Sequence, residues 1–247
     1  MQHLKRYLLA CLYVVHINCG STDIDKETMV GSKDATPKHL GKQNDSTSNQ
    51  IILVHTKSNH SFEGILYGLE FVENDWLLKF DTVPCSIGKN GFAELSRKKE
   101  GDGKTPSGAY IIGAAFGDRN DLACDMDFIE LSSYHYWVTD TSSNMYNTLV
   151  EHYPGKLQAE RMKRKDHLYK YGIIIEYNTS DITKGAGSAI FIHVQRSKIS
   201  PTAGCIAVSE DAIKKLIQWI KPSKRPIIIM GSADEVDTIK QKYIHLE

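Results

Sequence analysis

Apolar and polar positions divide this chain of 247 residues into three unequal stretches. The first is an apolar run over residues 7–17, preceded by His3, Lys5 and Arg6. It is roughly half the ~20 residues that a spanning helix needs. A short apolar run after positive charge reads as a secretory leader, residues 1–19, rather than a transmembrane anchor. Residues 20–50 are mostly Ser, Thr, Asp, Asn, Lys and Gly, with few large apolar side chains. Such a segment buries too little surface to offset its ordering entropy, which predicts a flexible polar linker.

From Ile51 onward the pattern changes. Short apolar runs bounded by polar turns predict strands over residues 51–55, 65–71, 76–80, 82–87 and 109–113. Residues 129–139, with Tyr134, Tyr136 and Trp137, are expected to be at least partly strand. The spacing predicts helices over 144–151 and 157–169; in the second, Arg161, Lys163, Arg164 and Lys165 would form a solvated face. Isoleucine-rich strands are predicted over 171–177 and 188–194. Ser209 can cap a helix whose first turn holds Glu210 and Asp211, favourable at the positive end of the dipole. Ile213, Leu216, Ile217 and Ile220 recur as one buried stripe of that helix. Pro222 and Pro226 end it, a strand follows over 227–230, and residues 232–247 form a C-terminal tail able to turn helical.

Charge narrows the function classes. Acidic and basic residues balance at 30 each, so no global field favours nucleic acid or an anionic membrane surface. The basic run at 161–165 has no interleaved aromatic platform for stacking bases, and no nucleic-acid partner is expected. His135, His152, His167 and His193 lack metal-ligand spacing, which weighs against a metal site, and no dinucleotide or phosphate-loop fingerprint occurs.

The cysteines are Cys11, Cys19, Cys85, Cys124 and Cys205. Cys11 would leave with the leader. Cys19 stands where a lipoprotein signal places its lipidated cysteine, a possible membrane tether, although His16 and Asn18 depart from that signal. Cys85 and Cys124 could pair in an oxidising compartment or remain two inert buried thiols. Cys205 is then the odd thiol, and in an exported protein such a thiol invites a functional reading.

Residues 188–208 place that thiol near a base. An apolar segment carries His193 near its end, eleven residues follow, and Cys205 emerges beside Gly204. A cysteine attacks as thiolate, and a nearby imidazole can take its proton and return it to a leaving amine. The N–H groups from Gly204 to Ile206 could hold an oxyanion, and Thr202 could hydrogen-bond the substrate or the histidine ring. Against this stands the ordinary reading of a buried structural cysteine and a structural histidine.

Around His193 and Cys205 the chain resembles the YkuD-type L,D-transpeptidases, and more closely their ErfK/YbiS/YcfS/YnhG-like subgroup. The residues that carry the likeness are Gly187-Ser188-Ala189-Ile190-Phe191, His193 and Pro201-Thr202, with Gly204-Cys205. Ile87 to Gly91, Arg97, Glu100 to Pro106, Tyr146-Asn147 and Met162 to Tyr169 agree with it. The resemblance implies a catalytic domain over residues 51–231, mainly β with packed helices, a sandwich-like pair of mixed sheets. It implies a cysteine-dependent acyltransferase without cofactor, acting on peptidoglycan stem peptides in the periplasm or cell envelope. Cys205 would be the nucleophile, His193 the base, and Gly204, Cys205 and Ile206 the oxyanion hole. The thioester formed with loss of D-alanine would pass to another stem, making a cross-link and contributing to wall organisation and cell shape. Passage to water would make an L,D-carboxypeptidase or hydrolase; an inert thiol would leave a wall-binding module. Ala203 stands where the commoner pattern has a second histidine, and Ala207 where many members hold substrate carboxylate with arginine. Arg196 is the candidate replacement. Asp140, Asp166 or a backbone carbonyl could orient His193.

Overall fold

The computed structural model describes residues 48–244, apart from 59, 153 and 199. The leader, Cys19 and all but the last three linker residues lie outside the described residues. Gln50, assigned to the linker, opens β1 (Gln50–Thr56). Its buried side chain donates to Glu70 at 3.2 Å and to the Trp219 carbonyl at 3.0 Å, and accepts from the Lys221 N–H at 2.9 Å.

Among the described residues the architecture is mainly β with two α-helices and mixed sheets, as the sequence leads one to expect. A hairpin of β2 (Glu63–Val72) and β3 (Asp75–Ser86) follows β1. The predicted break at residue 81 does not occur, because β3 pairs with β2 through irregularities of register instead of ending. Next come β4 (Phe92–Ala93), β5 (Thr105–Pro106) and β6 (Gly108–Gly117). Then follow β7 (Phe128–Glu130), β8 (Tyr136–Val138), β9 (Leu149–Val150) and β10 (Ala159–Arg161). The last third contains β11 (Tyr171–Ile175), β12 (Phe191–Val194), β13 (Ile206–Val208), α1 (Glu210–Trp219), β14 (Ile227–Ser232) and α2 (Ala233–Lys240).

The main sheet runs β11-β12-β13-β3-β2-β1-β14-β6-β7, and β6 also pairs with β11. The N-terminal half of β6 faces β14 and its C-terminal half faces β11, so the sheet closes on itself as a barrel. Closure removes the unpaired strand edges that an open sheet exposes.

Apolar alternation decides which face is filled by what. Ile52 and Val54 of β1 point into the main core with Ile228 and Met230 of β14. Ile51, Leu53 and Ile229 point the other way, under Val236 of α2. Burial on both faces is why β1 and β14, a parallel pair, read as near-continuous apolar runs. Ser209 caps α1 by accepting from the Ala212 N–H, and the stripe Ile213, Leu216, Ile217 and Ile220 is completely buried in the main core. Each such side chain contributes about 1.5–3 kcal/mol of burial.

The two helices expected over 144–151 and 157–169 are absent. A three-stranded sheet β10-β8-β9 with tight turns occupies this region. Asn147 and His167 have left-handed φ of 59° and 61°, which no α-helix tolerates. The Glu160–Arg164 pair has helical i,i+4 spacing, yet a turn brings the two together. Arg164 also faces inward rather than forming a solvated stripe, and the Lys163 Nζ donates to the Leu131 carbonyl. Residues 188–190 fail to join β12 because Ala189 adopts φ 55°. Cys85, Cys124 and Cys205 are all free thiols.

Candidate active site

β12 and β13 lie side by side and parallel, with Ile192 opposite Ile206 and His193 opposite Ala207. Residues on paired strands share a face with their partners and with every second neighbour. Cys205, two positions before Ala207, therefore shares a face with His193. With strands ~4.8 Å apart and ~3.3 Å of rise per residue, the two Cα atoms sit roughly 8 Å apart on the diagonal. An aromatic-sized ring such as histidine reaches across a diagonal of that length. The chain between β12 and β13 makes the crossover a parallel pair requires.

Two loops hold the cysteine segment in place. The Thr202 N–H donates to the Ile87 carbonyl and the Lys89 N–H to the Thr202 carbonyl, both at 2.9 Å. Thr105 Oγ1, fully buried, accepts from the Gly88 N–H at 2.9 Å and donates to the Gly204 carbonyl at 2.8 Å. This one hydroxyl ties both glycine-rich loops to the residue before Cys205. A Cβ on Gly204 would stand 3.0 Å from the Lys104 carbonyl oxygen, so the close approach favours glycine. Asp102 fixes its own loop by accepting from the Lys98 ammonium and from the Lys99 and Lys104 N–H groups.

Cys205 belongs to an aromatic-walled cluster with Phe116, Trp137, Tyr169 and Phe191. Its Sγ–H donates to the Ala189 carbonyl at 3.1 Å. Burial, with the Glu160 charge adding to it, pushes the thiol up to about 12. Ala189 is held in its left-handed conformation by Asn147, whose Oδ1 accepts from the Ala189 N–H at 3.0 Å and from Trp137 Nε1 at 2.8 Å. Asn147 Nδ2 donates to the Tyr177 and Asn178 carbonyls at 3.0 and 2.7 Å, so all four of its hydrogen-bonding positions are filled.

His193 is 7% exposed. Its Nδ1 lies 2.8 Å from the Val194 carbonyl. A carbonyl only accepts, so the proton sits on Nδ1 and Nε2 carries the lone pair. Burial depresses the imidazole to about 4, which keeps it neutral at pH 7. The edge of the Tyr169 ring packs against it at 5.4 Å. Of the three orienting groups considered from sequence, the backbone carbonyl fills the role. Asp140 is engaged with Ser142, and Asp166 grips Arg164 through two hydrogen bonds.

The histidine and cysteine line a cavity of about 310 Å³. Arg196 and Ala207 line it too; Arg196 is largely exposed and bridges to Asp166 at 3.1 Å. Thr202 Oγ1 is not free for a ligand or for the histidine ring, because it donates to the Cys205 carbonyl at 2.6 Å and accepts from the Gly204 N–H at 3.1 Å. The same bond occupies the Gly204 N–H. Ile206 is fully buried in the β12–β13 ladder. Arg164 lines the cavity with Glu160, which it meets at 2.7 Å. The helical reading of residues 157–169 hid this arginine. Thr105 and Asn147 fell within stretches compared with the family, but nothing in their spacing marked the bonds they make. Among the described residues no three His, Cys, Asp or Glu side chains converge as a metal site.

A family model of the YkuD L,D-transpeptidase catalytic domain matches residues 49–229. No curated protein matches. Crystal structures of the helical cell shape determining protein Pgp2 from Campylobacter jejuni are remotely similar. One of a point mutant has 16% identity and a TM-score of 0.41, covering 78% of this chain and 52% of that one. Another has 15% identity and a TM-score of 0.40, covering 81% of this chain and 58% of that one. The chain thus spans little more than half the length of those proteins. Matched over most of its length, it belongs to the YkuD L,D-transpeptidase catalytic domain family.

Proposed function

We propose that this protein is a cysteine-dependent L,D-transpeptidase that cross-links peptidoglycan stem peptides through a thioester at Cys205. The observation that carries the reading is the β12–β13 register, which sets Cys205 and His193 on one face at the wall of a single cavity. The thiol first leaves the Ala189 carbonyl. Its proton passes to His193 Nε2 as Sγ attacks the carbonyl carbon of the third stem residue. The Cys205 N–H is the donor we assign to the resulting oxyanion, since Gly204 is engaged with Thr202. Collapse breaks the bond to D-alanine, whose nitrogen takes the proton back from Nε2. An amine of a second stem then attacks the thioester, loses its proton to His193, and releases the thiol.

Membership of the ErfK/YbiS/YcfS/YnhG-like subgroup rests on the sequence likeness around His193 and Cys205. Export to the periplasm or cell envelope, with a tether through residues 20–50 and lipid at Cys19, rests on the sequence of the leader and linker. Arg196 is the proposed partner of the substrate carboxylate, because it lines the cavity and Ala207 supplies no charge there.

The test is incubation with tetrapeptide muropeptides and weighing of the products. Cross-linked dimers are expected, and Cys205→Ala should make none while unfolding at an unchanged temperature. Tripeptides without dimers would move the activity to hydrolysis, and dimers from Cys205→Ala would refute the nucleophile.

A further inference from the structure

The charged groups of the cavity wall are almost all paired. The Lys98 ammonium, on a side chain only 5% exposed, meets Asp102 at 2.7 Å and donates to the Lys99 carbonyl. Arg164 holds Glu160 and Asp166, both at 2.7 Å, and Arg196 holds Asp166. Glu100 lines the same cavity and, among the described residues, has no cationic partner. Its position is nonetheless fixed. Glu100 Oε2 accepts from the Ser188 hydroxyl at 2.8 Å and, through a short bond, from the Tyr146 hydroxyl. Tyr146 is completely buried, and its oxygen also accepts from the Gly187 N–H at 3.1 Å. The Glu100 N–H donates to the Gly185 carbonyl at 2.8 Å. Both hydroxyls converge on Oε2, which leaves Oε1 without a donor among the described residues.

Glu100 is half-buried, so its open oxygen faces the cavity fixed in place and free to accept a charge-assisted bond from a cationic ligand. We infer that Glu100 binds a primary ammonium group of the peptide substrate. A single open oxygen suits one charge-assisted N–H···O bond. It is too few ligands for a metal ion, which takes six or more oxygens when hard. The inference rests on the acyl-transfer reading, in which the peptide carries such an amine either on the donor stem or on the acceptor. Ser188 and Tyr146 act as positioning residues, since they hold the carboxylate without touching the ligand.

The substitution that tests this is Glu100→Gln, which keeps an oxygen for both hydroxyls and removes the charge. Binding is measured by calorimetry in a Cys205→Ala background, so turnover is not needed. The probes are a tetrapeptide muropeptide with a free side-chain amine and the same muropeptide N-acetylated at that amine. The intact protein should prefer the free amine by about tenfold or more, and Glu100→Gln should erase that preference. A merely structural role would weaken both ligands together, and that result, or an undiminished preference, overturns the inference. Acylation and product analysis with Cys205 intact locate the amine: slower thioester formation in Glu100→Gln marks the donor, and fewer dimers at equal thioester formation mark the acceptor. Absence of any thioester while the binding preference holds would refute the acyl-transfer reading but leave the ammonium site standing.

Discussion

Asn147→Ala is the substitution on which the geometry of the site can be tested most sharply. Asn147 is 2% exposed and makes four hydrogen bonds, two accepted from Trp137 Nε1 and the Ala189 N–H and two donated to the Tyr177 and Asn178 carbonyls. Alanine would orphan two buried donors, each costing about 1–3 kcal/mol. It would also sit at φ 59°, where asparagine is tolerated but a plain side chain costs about 1–2 kcal/mol more. A total of about 3–8 kcal/mol is expected, a large share of the 5–15 kcal/mol that stabilises a typical domain. The assay is equilibrium unfolding in urea, read as a fall in midpoint at unchanged slope. Asn147→Asp serves as a second variant: it keeps the acceptor for Trp137 and Ala189 but turns a negative oxygen toward two carbonyls, and should be at least as damaging. A loss under ~1 kcal/mol for either variant would refute the claim that Asn147 locks Ala189, and with it the Cys205 thiol, in place.

Two further outcomes follow from the resting state of the pair. With the thiol pushed up to about 12 from 9, its thiolate fraction at neutral pH falls about a thousandfold, while the greater intrinsic nucleophilicity of a weaker acid recovers roughly twentyfold. Cys205, followed by peptide mapping, should therefore react with a disulfide reagent at least ~50-fold more slowly than a free thiol. Its rate should climb tenfold per pH unit from 7 to 10; a plateau with a midpoint below pH 8 would mean a preformed thiolate–imidazolium pair instead. His193 gives a stability effect of fixed sign. Its folded value near 4 lies below the unfolded 6.5, so above pH 6.5 both states are neutral there, and between pH 6.5 and 4 only the unfolded chain gains the proton. About 3 kcal/mol should be lost across that window, and His193→Gln should flatten that limb of the pH–stability curve. An equally steep limb in the variant would show that other groups cause it.

The sequence alone was enough for whatever depends on local period and on short spacing. Alternation and turn residues located most strands of the first and last thirds, but split β3 in two, began β12 early at residue 188, and missed the three-residue β13. The stripe Ile213, Leu216, Ile217 and Ile220 with Ser209 as cap specified α1, because one helical face and one cap are properties of consecutive residues. The Cys–His unit was legible for the same reason, lying within one strand–loop–strand segment. Residues 144–169 were misread because apolar and charged spacing there imitates a helix, while long-range bonds hold turns: Tyr146 to Glu100, and Asn147 to Trp137 and Ala189.

Only the tertiary structure decided that β6 closes the barrel, that Thr105 ties two distant loops to Gly204, and that Val194 rather than an aspartate orients His193. It alone reveals Glu100 as a carboxylate without a counter-ion among the described residues. Such facts depend on which groups remain unpaired once every other buried group has found its partner, and that accounting closes only in the folded chain.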